Sequence, residues 1–155
     1  MSAVVTGSTH RVSSPADMER LGAQLGRRLK VGCVLFLTGD LGAGKTTLVR
    51  GLLRSLGYEE VVVSPTFTLL ETYEASGLTV VHLDLYRLND PAELEQLAIR
   101  DYLEEKSVLI VEWAERARDS LPKPDCEVHI AIDRNDQRIV QLRSFTDTGE
   151  TLCTA

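Results

Sequence analysis
Cysteine is scarce in this chain of 155 residues. Cys33, Cys126 and Cys153 lie far apart, with no CxxC pair and no Cys/His cluster. Thiolate metal sites and a disulfide framework are therefore not expected, and a reducing compartment is the default. Aromatic residues make up only 5%, with a single tryptophan. No apolar run approaches the ~20 residues that cross a bilayer. The N-terminal "MSAVVTGSTHR" has no basic segment followed by a long apolar one, so a secretory signal is not expected either. Positive charge is in deficit: 17 Lys and Arg stand against 23 Asp and Glu, a net charge of -6. Non-specific affinity for nucleic acid comes from cations that neutralise phosphates, so this chain is not expected to grip RNA by itself. The expectation is a cytoplasmic protein whose RNA, if it serves one, is presented by a partner.

The length suits one domain over residues 1–155, with flexible ends expected at 1–8 and 146–155. No internal repeat or low-complexity tract is present. Ser14 reads as an N-cap with Pro15 at the first helical position, and Leu21, Leu25 and Leu29 follow at helical spacing. "VLFLTG" (34–39) reads as a buried strand and "GKTTLVRGLLRSLG" (44–57) as a helix ended by glycine. Strands are predicted over 66–74 and 78–86, joined by the turn "ASG", then a helix over 90–105 and an apolar strand at "SVLIVEW" (107–113). "CEVHIAI" and "RIVQLRSF" alternate as an antiparallel hairpin, and the stretch from Thr146 reads as a frayed tail. Strands alternating with helices before a β-rich end give a three-layer α/β fold: a mostly parallel central sheet flanked by helices, with an antiparallel C-terminal hairpin.

Between the first strand and its helix lies "GDLGAGKTT", in which Gly39, Gly44, Lys45 and Thr46 complete the P-loop pattern. Glycines let the backbone wrap its N–H groups around a phosphate, and the helix that follows points its positive end at the same anion. Lys45 would reach the β- and γ-phosphates and the Thr46 hydroxyl would bind Mg²⁺. Such a site needs a carboxylate at the end of a neighbouring strand. Glu112 and Asp84 both qualify, one as a metal ligand and the other to position the attacking water.

"SPTFTL" (64–69) is a candidate sensor of the γ-phosphate, although Thr66 and Thr68 also suit an ordinary strand. Trp113 is either core filler or a stacking surface. His82 and His129 read as structural. No Asn-Lys-x-Asp motif is present, which disfavours a GTP switch. Arg116 and Arg118 leave a small-molecule kinase open as the alternative.

The motifs "GDLGAGKTT", "SPTFTL", "HLDLYRL" and "VEWAE", in this order and spacing, resemble the TsaE family, bacterial ATPases once called YjeE, over about residues 14–143. The resemblance implies a weak, Mg²⁺-dependent ATPase that serves threonylcarbamoyladenosine modification of tRNA next to the anticodon. It also implies docking on the TsaB–TsaD pair, a reset of that complex through ATP hydrolysis, and contact with tRNA only through it. By position, it places Leu41, Gly42, Ala43, Gly44, Lys45, Thr46 and Thr47 on the nucleotide phosphates. Thr46 and Glu112 become the Mg²⁺ ligands, Asp84 the acid of hydrolysis and Thr68 the switch threonine. Trp113 and Glu115 fall in the family's Trp-containing motif beside the nucleotide. Ser13–Pro15 and the hairpin at Asp136–Arg138, including Arg138, fall where the family closes around adenine. The oligomeric state stays open.

Overall fold
A computed structural model describes residues 6–96, 99–103 and 107–153. Seven strands form one sheet: β1 (Thr6–Val12), β2 (Val34–Thr38), β3 (Leu70–Ala75), β4 (Leu78–Asp84), β5 (Ser107–Glu112), β6 (Cys126–Ile132) and β7 (Arg138–Ser144). Their spatial order is β1-β7-β6-β2-β5-β4-β3. The central four, β6-β2-β5-β4, run parallel, and antiparallel strands close both sides. The expected three-layer P-loop architecture is therefore present.

Strand alternation divides the core into two layers. Leu35, Leu37, Val80, Val108, Ile110, Val128 and Ile130 face the helices α1 (Pro15–Arg27) and α2 (Lys45–Ser55). Val34, Phe36, Val81, Leu83, Leu109 and Val111 face the other way, against α3 (Ala92–Gln96), α4 (Ile99–Leu103) and the loop after β5. At the start of α1 the Ser14 hydroxyl accepts from the Asp17 N–H at 3.1 Å, with Pro15 following the cap, as the sequence predicts.

Close helix packing sets the height of the phosphate loop. A Cβ on Gly51 of α2 would sit 2.1 Å from the Glu19 carbonyl oxygen, and one on Gly22 of α1 would sit 2.1 Å from that of Leu48. Only hydrogen at these two positions lets the backbones approach so far. Because α2 starts at Lys45, its seat on α1 and the sheet also fixes where its N-terminus points.

Three differences from the sequence reading have physical causes. β1 was not anticipated, because "TGSTHRV" is an edge strand held to β7 by backbone pairing and carries almost no apolar face. The strand expected over 66–74 starts only at Leu70. Residues 65–69 instead form a turn in which the Leu69 N–H donates to the Pro65 carbonyl at 2.8 Å and Leu69 adopts φ 66°. Segments expected to be flexible carry regular structure. Thr6–Ser8 belong to β1, and the stretch read as a frayed tail forms α5 (Asp147–Cys153), while residues 1–5 and 154–155 lie outside the described residues. The Thr146 hydroxyl caps α5 by accepting from the Gly149 N–H, and it donates to Asp125 at 2.7 Å. Leu152 and Cys153 are buried residues of this helix.

The cysteines also meet, although none is in a disulfide: Cys126 Sγ lies 3.2 Å from Cys153 Sγ in the core. Burial pushes the Cys33 thiol up to about 12. Of the helix expected over 90–105, α3 and α4 are seen, while 97–98 and 104–105 lie outside the described residues.

Gly51→Ala is expected to destabilise the chain by ~1–3 kcal/mol through overpacking, read as a lower urea midpoint at unchanged slope. An unchanged midpoint would show that α1 and α2 can separate freely.

Candidate functional site
The carboxyl ends of the parallel strands form one rim, and the predicted chemistry collects there. Between β2 and α2 the backbone turns through Gly39, Gly42 and Gly44 at φ of 143°, 79° and 117°. These angles are strained for residues with a side chain, so the loop depends on glycine. The first N–H groups of α2 have no partner within the helix and face the loop's concavity. Arg138, at the start of β7, braces the outside of the loop. Its Nε donates to the Ala43 carbonyl at 3.1 Å and its NH2 group to that of Gly42 at 3.2 Å. Two loop carbonyls are thereby engaged by a cation from β7.

Lys45 is only 6% exposed. Its Nζ donates to the Gly39 carbonyl at 2.8 Å, lies 3.6 Å from Glu112 Oε1 and stands over the Trp113 ring at 4.6 Å from its centroid. A buried ammonium requires such compensation, because an unpaired one costs several kcal/mol. Trp113 is held in the left-handed region (φ 59°) and packs on Tyr86 with ring centroids 5.1 Å apart. Strained backbone of this kind concentrates at functional sites.

The two predicted acids are neighbours. β4 pairs with β5 in the register Asp84↔Glu112, so both strands end on a carboxylate on the face toward α2. They are 4% and 3% exposed. Glu112 Oε2 lies 2.7 Å from His82 Nε2. Asp84 Oδ1 accepts from the Tyr86 N–H at 3.0 Å, and Oδ2 accepts from the Thr66 hydroxyl at 3.1 Å. Ser64 extends this chain, its hydroxyl 2.8 Å from that of Thr66. Thr46, Asp84 and Glu112 line a single cleft of about 230 Å³ with Lys45 and Trp113. A hydroxyl and two carboxylates are hard oxygen donors, a set that fits Mg²⁺ and not a thiophilic metal.

A second cavity, of about 350 Å³, opens on the other side of the loop between Ser13, Pro15, Met18, Thr47, Asp136 and Arg138. It unites the two segments that the resemblance assigns to adenine.

Three sequence expectations change. Thr68 does not line the cleft; its exposed hydroxyl donates to Glu71 at 3.2 Å, because the turn at 65–69 sends Thr66 inward and Thr68 outward. Arg138 acts on the loop's carbonyls as well as lining the cavity. His82, read as structural, touches Glu112. Its signal was available: in a strand, residues two apart share a face, so His82 lies on the same side as Asp84. Leu41 turns its side chain out to solvent, and Glu115 is exposed.

The fold and this rim define a P-loop NTPase. The TsaE family model, described as "Threonylcarbamoyl adenosine biosynthesis protein TsaE", matches residues 12–140. The tRNA threonylcarbamoyladenosine biosynthesis protein TsaE of Haemophilus influenzae is 44% identical over 122 residues, covering 79% of this chain and 77% of the relative. That of Bacillus subtilis is 34% identical over 143 residues, covering 92% and 89%. The crystal structure of Bacillus subtilis YdiB superposes with a TM-score of 0.84 at 29% identity, over 99% of this chain and 95% of the other. The chain belongs to the TsaE family.

Thr66→Val is expected to lower any nucleotide turnover by roughly 10–100-fold, as loss of a group that holds a site carboxylate does, whereas Thr68→Val leaves it unchanged. Steady-state phosphate release measures both. The reverse order would restore Thr68 as the sensing residue.

Proposed function
We propose that this chain binds MgATP across the two cavities, hydrolyses it slowly, and uses the hydrolysis in threonylcarbamoyladenosine modification of tRNA. The observation that carries the chemistry is the register Asp84↔Glu112 beside Lys45: two buried carboxylates and a buried ammonium at the mouth of a phosphate loop. The biological setting is supported by membership of the TsaE family.

Adenine fits the cavity between Pro15, Met18 and Arg138, and the triphosphate fits the loop. There the phosphates compete with Glu112 and the Gly39 carbonyl for the Lys45 ammonium. Drawing Lys45 onto the phosphates releases Glu112 Oε1 toward the cleft, where Thr46 and Glu112 would hold Mg²⁺. The cation, when bound, neutralises charge that develops on the β- and γ-phosphates. Asp84, oriented by the Tyr86 N–H and the Thr66 hydroxyl, aligns the attacking water.

The net charge of -6 suits a subunit that meets tRNA only through other proteins. Docking on a TsaB–TsaD pair is supported by apolar side chains at the rim of the cleft. Leu41 is 61% and Phe67 82% exposed, and Phe67 directly follows the Thr66 that holds Asp84. Nucleotide chemistry at Asp84 is thus one hydrogen bond and one peptide bond from a surface that a partner can read. Among the described residues no helix is long and apolar enough to cross a membrane, and we place the chain in the cytoplasm. A small-molecule kinase is not favoured. Arg118, one candidate for a lid cation, stands over Phe36, on the sheet face opposite Lys45.

Phosphate release from MgATP is expected to be slow with the chain alone and to rise when TsaB and TsaD are added. Asp84→Ala should lower release by roughly 10²–10⁴-fold with nucleotide affinity retained. Brisk release that ignores the pair would contradict the coupling, and retained hydrolysis in Asp84→Ala would contradict the role of that acid.

A further inference from the structure
His82 is fully buried, a costly position for a ring with two polar nitrogens. On the same face of β4, two residues earlier, Val80 fills its place with an aliphatic side chain. The register sets His82 against Ile110, which places it diagonal to Glu112 on the next strand, within reach of the carboxylate. Nε2 lies 2.7 Å from Glu112 Oε2, while Nδ1 has no hydrogen-bond partner. The orphaned nitrogen selects the tautomer. A proton on Nδ1 would be a buried donor with no acceptor, whereas a proton on Nε2 is the one that the carboxylate accepts.

We propose that His82 is a positioning residue for Glu112: an imidazole whose Nε2–H holds Oε2 and so turns Oε1 toward Lys45 and the Mg²⁺ side of the cleft. Carboxylates that ligate metals are themselves oriented by hydrogen bonds from behind, and loss of such a partner weakens metal affinity. Lys45 stands on Oε1 at 3.6 Å and Asp84 is Glu112's register neighbour on β4, so the two oxygens of Glu112 have separate tasks. The inference rests on the reading of Glu112 as the metal-side acid.

Three variants of the full chain separate a donor from a filler. H82Q puts an amide N–H close to the position of Nε2, H82N carries a donor that falls short of it, and H82L fills the space with none. Calorimetric ATP binding is measured first without metal and then across a Mg²⁺ titration, with thermal melting as the check on folding. H82L and H82N are expected to raise the Mg²⁺ concentration for half-maximal enhancement by roughly tenfold or more. Metal-free ATP affinity should be unchanged, and H82Q should stay near the parent. Where H82L fails to fold, H82Q against H82N decides. A Mg²⁺ dependence unmoved by H82L, or H82Q as impaired as H82N, would overturn the proposal. E112Q identifies which claim has failed. If it too leaves the Mg²⁺ dependence unmoved, the metal role of Glu112 falls and takes this inference with it; if E112Q shifts the dependence and H82L does not, only the positioning claim falls.

Discussion
The ion pair between Lys45 and Glu112 ties the phosphate loop to the sheet. Each side chain is buried, and neither charge is tolerable there without the other. Lys45 opens α2 and Glu112 closes β5, so their pairing sets the helix N-terminus against the end of the central strand. It is also the contact that a nucleotide phosphate is best placed to contest. A triphosphate would offer Lys45 more negative charge than a single carboxylate does, so under the proposed function the contact that stabilises the cleft is the one that the ligand rearranges.

Other features hold the partners of this pair in place. α2 cannot drift, because Gly22 and Gly51 seat it backbone to backbone on α1. The loop between β2 and α2 keeps its curvature because Arg138 reaches across from β7 to two of its carbonyls. Asp84 is stabilised by the Tyr86 N–H and by a hydroxyl chain running out through Thr66 and Ser64 to a turn that exposes Phe67. A buried carboxylate and an exposed apolar side chain are thus joined by a short polar path, the arrangement that the proposed coupling of nucleotide chemistry to a partner requires.

Much of this was legible in the sequence because the relevant patterns are local. The spacing from Gly39 to Thr46 determines the loop, and the apolar run that ends in Glu112 marks a central strand. Ser14 with Pro15 signals the start of α1. What escaped depends on tertiary context. β1 has no hydrophobic alternation because it is an edge strand held by backbone bonds, and α5 looks like a polar tail because its packing rests on Leu152, Cys153 and the close approach of Gly149 to Asp125. Thr66 and Thr68 are equivalent on spacing, and only the left-handed turn at Leu69 shows which one faces Asp84. The contact of His82 with Glu112 needs both the pleat and the register of β4 on β5, and only the pleat can be read from one strand.

Trp113 gives direct access to the central ion pair. It is the single tryptophan of the chain, and the Lys45 ammonium stands 4.6 Å from its ring centroid. Its fluorescence should therefore report where Lys45 goes. Titration with MgATP is predicted to change Trp113 emission saturably, with the same midpoint as calorimetric binding, and Lys45→Ala should abolish that response. Emission that stays constant while calorimetry shows bound nucleotide would mean that Lys45 does not move from Glu112 to the phosphates, and would contradict the account.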